Sequence, residues 1–294
     1  MLASIMLFLL APITTTDQWS KTFDTSGQAA FRVRTSDANI HVKTWDRNAI
    51  EAVVSTVNWK IGDSGILILD QQTGDEVSLE VKFPRTIFSI NFRTRRVDIT
   101  VRVPRNTRLD LRTGDGNIEV IGSKGSLVAR TGDGNLRIVD IEGDVLAHTG
   151  DGRIDVRGVK GEITLETGDG NTTIENVEGR LRASAGDGDI RAVGRFDVLE
   201  IKTGDGRIEA SALQGSRMSA DWRLTTGDGS LTLRLPQEFD AEVDLRTSDG
   251  HIDLSLPVTI SGRAGASRIR GRINAGGSLL TLKTGDGSIR LEKL

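Results

Sequence analysis

Residues 109–143 read LDLRTGDGNIEVIGSKGSLVARTGDGNLRIVDIEG, and the fold turns on the two TGDG tetrapeptides they contain. TGDG recurs at residues 113, 131, 149, 167, 203, 226 and 284, with AGDG at 185 and TSDG at 247. From Thr113 to Thr203 every step is eighteen residues. A fixed short period is the signature of a repeat architecture, and it makes the chain length a poor guide to domain count.

Counting from the Thr of each tetrapeptide, apolar residues hold fixed places. Four and two residues earlier stand Leu109 and Leu111, Leu127 and Ala129, Val145 and Ala147, Ile163 and Leu165, Leu181 and Ala183, then Leu199 and Ile201. Five and seven later stand Ile118 and Val120, Leu136 and Ile138, Ile154 and Val156, Ile190 and Ala192, then Ile208 and Ala210. Alternation by two is the strand period. Each unit is therefore strand, GDG bend, strand, and a second bend at Gly125, Gly143, Gly161, Gly179 or Gly215. At the GDG bend the expectation is that Asp accepts turn N–H groups and Gly takes a positive φ. The Thr shares parity with the apolar positions, which places it inward at the margin of the core.

Two arrangements fit such a unit: an antiparallel meander closing into a barrel, or a solenoid whose coils stack in parallel. Six residues after Thr the units carry Glu119, Arg137, Asp155, Thr173, Arg191 and Glu209. Stacked in register, this column sets opposite charges side by side, each pair contributing about 0.2–1 kcal/mol. Asn117, Asn135 and Asn171 would form a partial amide ladder in the same way. The expected fold is all-β: a β-solenoid (β-helix) of about eighteen-residue coils with irregular capping strands at both ends, the barrel being the alternative. Residues 107–216 are the regular repeat, 17–106 an irregular N-terminal capping region, and 217–294 longer coils and a cap, with 17–294 one continuous domain.

Composition narrows the function. The net charge of −3 argues against nucleic acid as the main partner. With no cysteine there is no disulfide and no thiolate metal site. The apolar run at residues 2–13 has the length of a signal-peptide core and is too short for a membrane span. It lacks a preceding Lys or Arg and a clean small-x-small cleavage site. The expectation is an unusual export signal over residues 1–16, hence a secreted or cell-envelope protein.

The opening WSKTFDTSGQAAFRVRTSDANIHV, the tandem TGDGNI-type units and the closing INAGGSLLTLKTGDGSIRLEKL resemble a bacterial family of envelope proteins named putative adhesins. The resemblance covers about residues 19–294. It implies export, a β-solenoid-like fold and a surface or periplasmic role, and it supplies no catalytic residues.

The repeated Asp residues 115, 133, 151, 169, 187 and 205 are weak candidates for a calcium column. Calcium takes six to eight oxygens, and one carboxylate per coil is thin. Adjacent Asp side chains also approach the carboxylate spacing of a glycosidase, yet an Asp repeated in every coil marks a scaffold, so no catalytic residue and no cofactor is expected. An ice-binding threonine array conflicts with inward-facing Thr, and a phosphate loop requires a following helix. His41, His148 and His251 fall at unrelated positions. The run 93–112 holds seven arginines. Of these Arg93, Arg95, Arg96 and Arg102 are candidates for binding polyanions or membrane headgroups. The sequence thus points to a non-enzymatic adhesin-like scaffold or binding module contacting envelope polysaccharide or protein. The alternative is an envelope-stress or signalling accessory that captures a protein partner.

Overall fold

The computed structural model describes residues 15–84, 95–261 and 267–294. Apart from Thr15 and Thr16, the expected export signal lies outside the described residues. Every regular element among them is a β-strand, and all twenty-five strands belong to one continuous sheet. The all-β expectation holds.

Strands eighteen residues apart pair in parallel and in register. Leu127 lies between Leu109 and Val145, and Leu136 between Ile118 and Ile154. An antiparallel meander would not bring these equivalents together. Two arrays result, one for each side of the GDG bend. The first runs Ala30–Thr35, Arg108–Arg112, Leu127–Arg130, Val145–Thr149 and Lys160–Thr167. The second runs Asn39–Trp45, Ile118–Ser123, Leu136–Ile141 and Ile154–Arg157. The long strands Thr172–Ala185 and Ile190–Lys202 pass through the second bend and serve both arrays. Their register shifts at Glu175/Val177 and Gly179/Arg180, where the corner is turned.

The chain does not stack in chain order at its ends. Ala30–Thr35 sits between Glu76–Lys82 and Arg108–Arg112, so the outer repeat is built after the inner one. At the other end Leu279–Lys283 inserts between Trp222–Thr225 and Ala241–Arg246. Three outermost pairings are antiparallel, Thr16–Asp24 with Ala49–Val57, Leu67–Thr73 with Glu76–Lys82, and Thr259–Ile260 with Arg268–Ile273, while Ile252–Leu254 ends the second array parallel to Ile289–Lys293.

Every inward position named from the alternation is buried, and the two arrays share one core. Each fully buried Leu or Ile contributes about 1.5–3 kcal/mol. Near the C-terminal end small residues give way to aromatics. Trp222 is fully buried, edge-on to Phe196 and tilted against Phe239 at centroid distances of 6.2 and 5.1 Å, and its Nε1 donates to the Asp197 carbonyl at 3.2 Å.

The GDG bend works differently from the expectation. None of its glycines has a positive φ; that conformation falls at the second bend, as at Gly179 (φ 121°) and Gly215 (φ 91°). The GDG glycines are required by close approach instead. A Cβ on Gly134 would land on the carbonyl oxygen of Gly116, and one on Gly152 on that of Gly134. The Thr side chain closes this contact. Thr131 Oγ1 donates to the Gly116 carbonyl at 2.8 Å and accepts from the Gly134 amide at 3.2 Å. Thr149 repeats the pattern on Gly134 and Gly152, and Thr203, Thr226 and Thr284 each donate to the second glycine of the preceding repeat in the stack, Gly188, Gly206 and Gly229. These threonines are buried, as their parity predicts. Gly134→Ala forces backbone apart and should cost roughly 1–3 kcal/mol, while Arg153→Ala at an exposed site changes stability by less than about 0.5 kcal/mol; denaturant midpoints of the two variants check this.

Candidate functional site

The GDG corner carries three parallel columns along the stack: Thr inside, Asp outside, and the residue after the second Gly on the rim. The rim column is well bonded. Asn117 Oδ1 accepts from the Asn135 backbone N–H at 2.8 Å, and Asn135 Oδ1 from that of Arg153 at 2.9 Å. Asn171 does the same for Asp189, and Asp189 for Arg207. The amide ladder expected from sequence is thus chiefly a side-chain-to-backbone ladder, in which Asp189 can replace Asn because only an acceptor is needed.

Asp115, Asp133, Asp151, Asp169, Asp187 and Asp205 are all exposed. They take no hydrogen bond from their own turns, contrary to the expectation for this bend. Among the described residues, no group of three or more His, Asp or Glu is placed to hold a metal ion. At the start of the column, partial burial and then the neighbouring Asp115 carboxylate push the Asp37 carboxyl above its usual range.

The outward charge column pairs as its order predicts at two steps. Arg137 Nε lies 3.2 Å from Glu119, and Arg191 lies 3.3 Å from Glu209. Glu119 also takes His41 at 3.3 Å. His148 faces Glu166 at 3.4 Å, and His251 faces Asp253 at 3.3 Å. The histidines are therefore members of separate surface pairs.

The arginine run 93–112 is divided by the fold. Arg93 lies outside the described residues. Arg96 and Arg102 stand on the outer strand of the second array, ion-paired with Asp98 at 2.7 Å and Glu51 at 2.8 Å. Arg95 packs over the Trp59 ring, 4.3 Å from its centroid, and Arg102 lies 6.0 Å from that of Trp45. Arg108 and Arg112 belong to the first array, on a different face of the molecule. Arg95, Arg96 and Arg102 thus do not join Arg108 and Arg112 in one basic surface. Aligning the residue that precedes each TGDG and the related TSDA at 35–38 would have revealed the arrangement the run conceals, since Arg34, Arg112 and Arg130 occupy that place in adjoining repeats.

At the C-terminal end Asp244 is buried beneath Arg246, Arg268 and Arg270. Its hydrogen bond from Arg246 outweighs burial and, with the charges of all three arginines, holds its carboxyl below the usual carboxylate range.

Residues 29–292 match the family described as Toastrack DUF4097. The chain belongs to this family. No curated protein matches it. Among solved structures, it is similar to a "putative cell adhesion protein" from Clostridium sporogenes at 10% identity, covering 95% of this chain and 100% of that one, with a TM-score of 0.32. A "putative adhesin" from Bacteroides fragilis aligns at 10% identity over 94% and 97%, TM-score 0.34. A "putative lipid binding protein" from Parabacteroides distasonis aligns at 12% over 94% and 96%, TM-score 0.38. Likeness this distant carries no functional inference.

Because the Asp244 carboxyl is held low in the folded state, its contribution to stability is present above the unfolded carboxylate range and is lost as pH falls through the folded value. Asp244→Asn should lower stability at pH 7 by roughly 1–2 kcal/mol, and thermal melts of the two proteins should begin to draw together only as pH falls below the unfolded carboxylate value of about 3.9.

Proposed function

We propose that this Toastrack-family chain is an exported, non-enzymatic, adhesin-like β-solenoid that serves as a scaffold or binding module of the bacterial cell envelope. In this reading residues 17–294 form one body of eighteen-residue coils, with the antiparallel strands at both ends as caps. The observation that carries it is the in-register parallel stacking, seen from Leu109 through Leu127 to Val145 and beyond. Such stacking turns outward side chains into continuous columns on a stiff surface, which suits multipoint contact with an extended partner. Solenoids of this kind cannot bury a coil alone, so the surface and the stability arise from the same stacking.

A hydrolytic reading fits less well. Acid–base catalysis needs two carboxyls whose surroundings separate their pKa values, whereas Asp133, Asp151 and Asp169 occupy equivalent exposed corners.

Fractionation of cells expressing the full chain should place it in the envelope or medium. The immobilised chain should then recover from an envelope extract either a glycan or one defined protein. Recovery of a single protein would favour a signalling accessory over an adhesin-like module. Confinement to the cytoplasm together with no retained envelope component would sink the proposal.

A further inference from the structure

Along the outer faces of this protein, side chains of neighbouring repeats often pair opposite charges. Arg157 meets Glu175 at 3.3 Å, Lys124 meets Glu142 at 2.9 Å, and Arg182 is paired with both Glu162 and Glu200. Two columns depart from this pattern: the exposed Asp residues of the GDG corners, and a run of arginines. Arg34 is the direct strand partner of Arg112, Arg112 of Arg130, and Arg130 of His148. Three guanidinium groups therefore stack on strands about 4.8 Å apart, an arrangement that is destabilising when the charges stand unanswered. Glu80 and Glu166 bound the run on either side.

Little within the protein answers these charges. Asp110 is shared by Arg112, which it takes through two hydrogen bonds of 2.9 and 3.2 Å, and by Arg32 at 3.2 Å. Arg34, Arg108 and Arg130 form no ion pair among the described residues. The same surface is concave: a groove of about 540 Å³ is lined by Arg32, Arg108, Arg112 and Arg130 against the two carboxylates Asp110 and Glu76. Gln71, Thr73, Ser78 and Ser126 supply neutral donors and acceptors along it.

We infer that this groove binds a linear carboxylated glycan, laid along the stack so that successive carboxylates meet successive arginines. Guanidinium groups take carboxylates in paired, planar hydrogen bonds, and the groove's hydroxyl and amide side chains match sugar hydroxyls. A recessed channel accommodates a chain polymer, whereas a lipid bilayer would meet a protruding basic surface. The inference rests on the binding-module reading and gives it a ligand class and a place.

The test uses the intact chain with polygalacturonate, neutral dextran and phosphatidylglycerol vesicles, followed by isothermal titration and co-sedimentation. Polygalacturonate should bind, with affinity falling as salt is raised, and dextran should not. Arg108→Ser with Arg130→Ser should weaken binding by about tenfold or more, while Arg96→Ser with Arg102→Ser should leave it unchanged. Without ligand, Arg130→Ser should melt at a higher temperature than the native chain, because a like-charge neighbour is removed; a purely structural arginine would give the opposite shift. Absence of polygalacturonate binding, binding indifferent to Arg108 and Arg130, or stronger retention on vesicles would each overturn the inference. If polygalacturonate fails while envelope extract still yields a defined protein partner, this site falls and the binding-module reading stands.

Discussion

The contact between a glycine and the carbonyl oxygen of the glycine one repeat earlier sets the geometry of this protein. At Gly134 and Gly152 the backbones approach so closely that no side chain could intervene, and the threonine three residues back ties the two repeats together through its hydroxyl. Because that contact recurs at one corner of each repeat, adjoining strands start level and stay in register. The core then follows: Leu109, Leu127 and Val145 fall one above another, as do Ile118, Leu136 and Ile154. A shift of one residue would turn each buried side chain outward, so the corner protects the whole hydrophobic pattern.

Register also organises the outside. Side chains that are eighteen residues apart become neighbours, and the protein uses this chiefly to alternate charge, as at Glu119 and Arg137 or Arg157 and Glu175. Exposed pairs of this kind add little stability individually. Their greater effect is on specificity of stacking, since a misplaced repeat would meet its like. Against that background the succession of Arg34, Arg112 and Arg130 is a departure, and departures from a local rule are where binding is most profitably sought.

Much of this was legible in the sequence. The period of two around each TGDG identified the buried set, and the parity of Thr placed it inward. The composition of the outward column indicated in-register stacking before any pairing was known. The expectation for the GDG bend fails for a physical reason. The glycines of GDG were assigned to turn conformation, the usual reason for glycine in a bend, whereas the reason is a neighbour that the sequence shows only as a residue eighteen positions away. The arginines from 93 to 112 lie close together in sequence, but the chain turns a corner after Pro104 and sends Arg102 and Arg112 to different arrays.

The sequence by itself determined the strands, the repeat and the buried residues, because alternation and spacing are local and survive in one dimension. Only the tertiary structure decided the order in which the ends stack, with Leu279–Lys283 inserted beside Trp222–Thr225 ahead of Ala241–Arg246. That choice depends on which exposed strand edge each terminal segment can pair with and on the aromatic packing around Trp222. It likewise decided which arginines face one another, since charge neighbours are set by the close glycine contact between repeats and not by proximity along the chain.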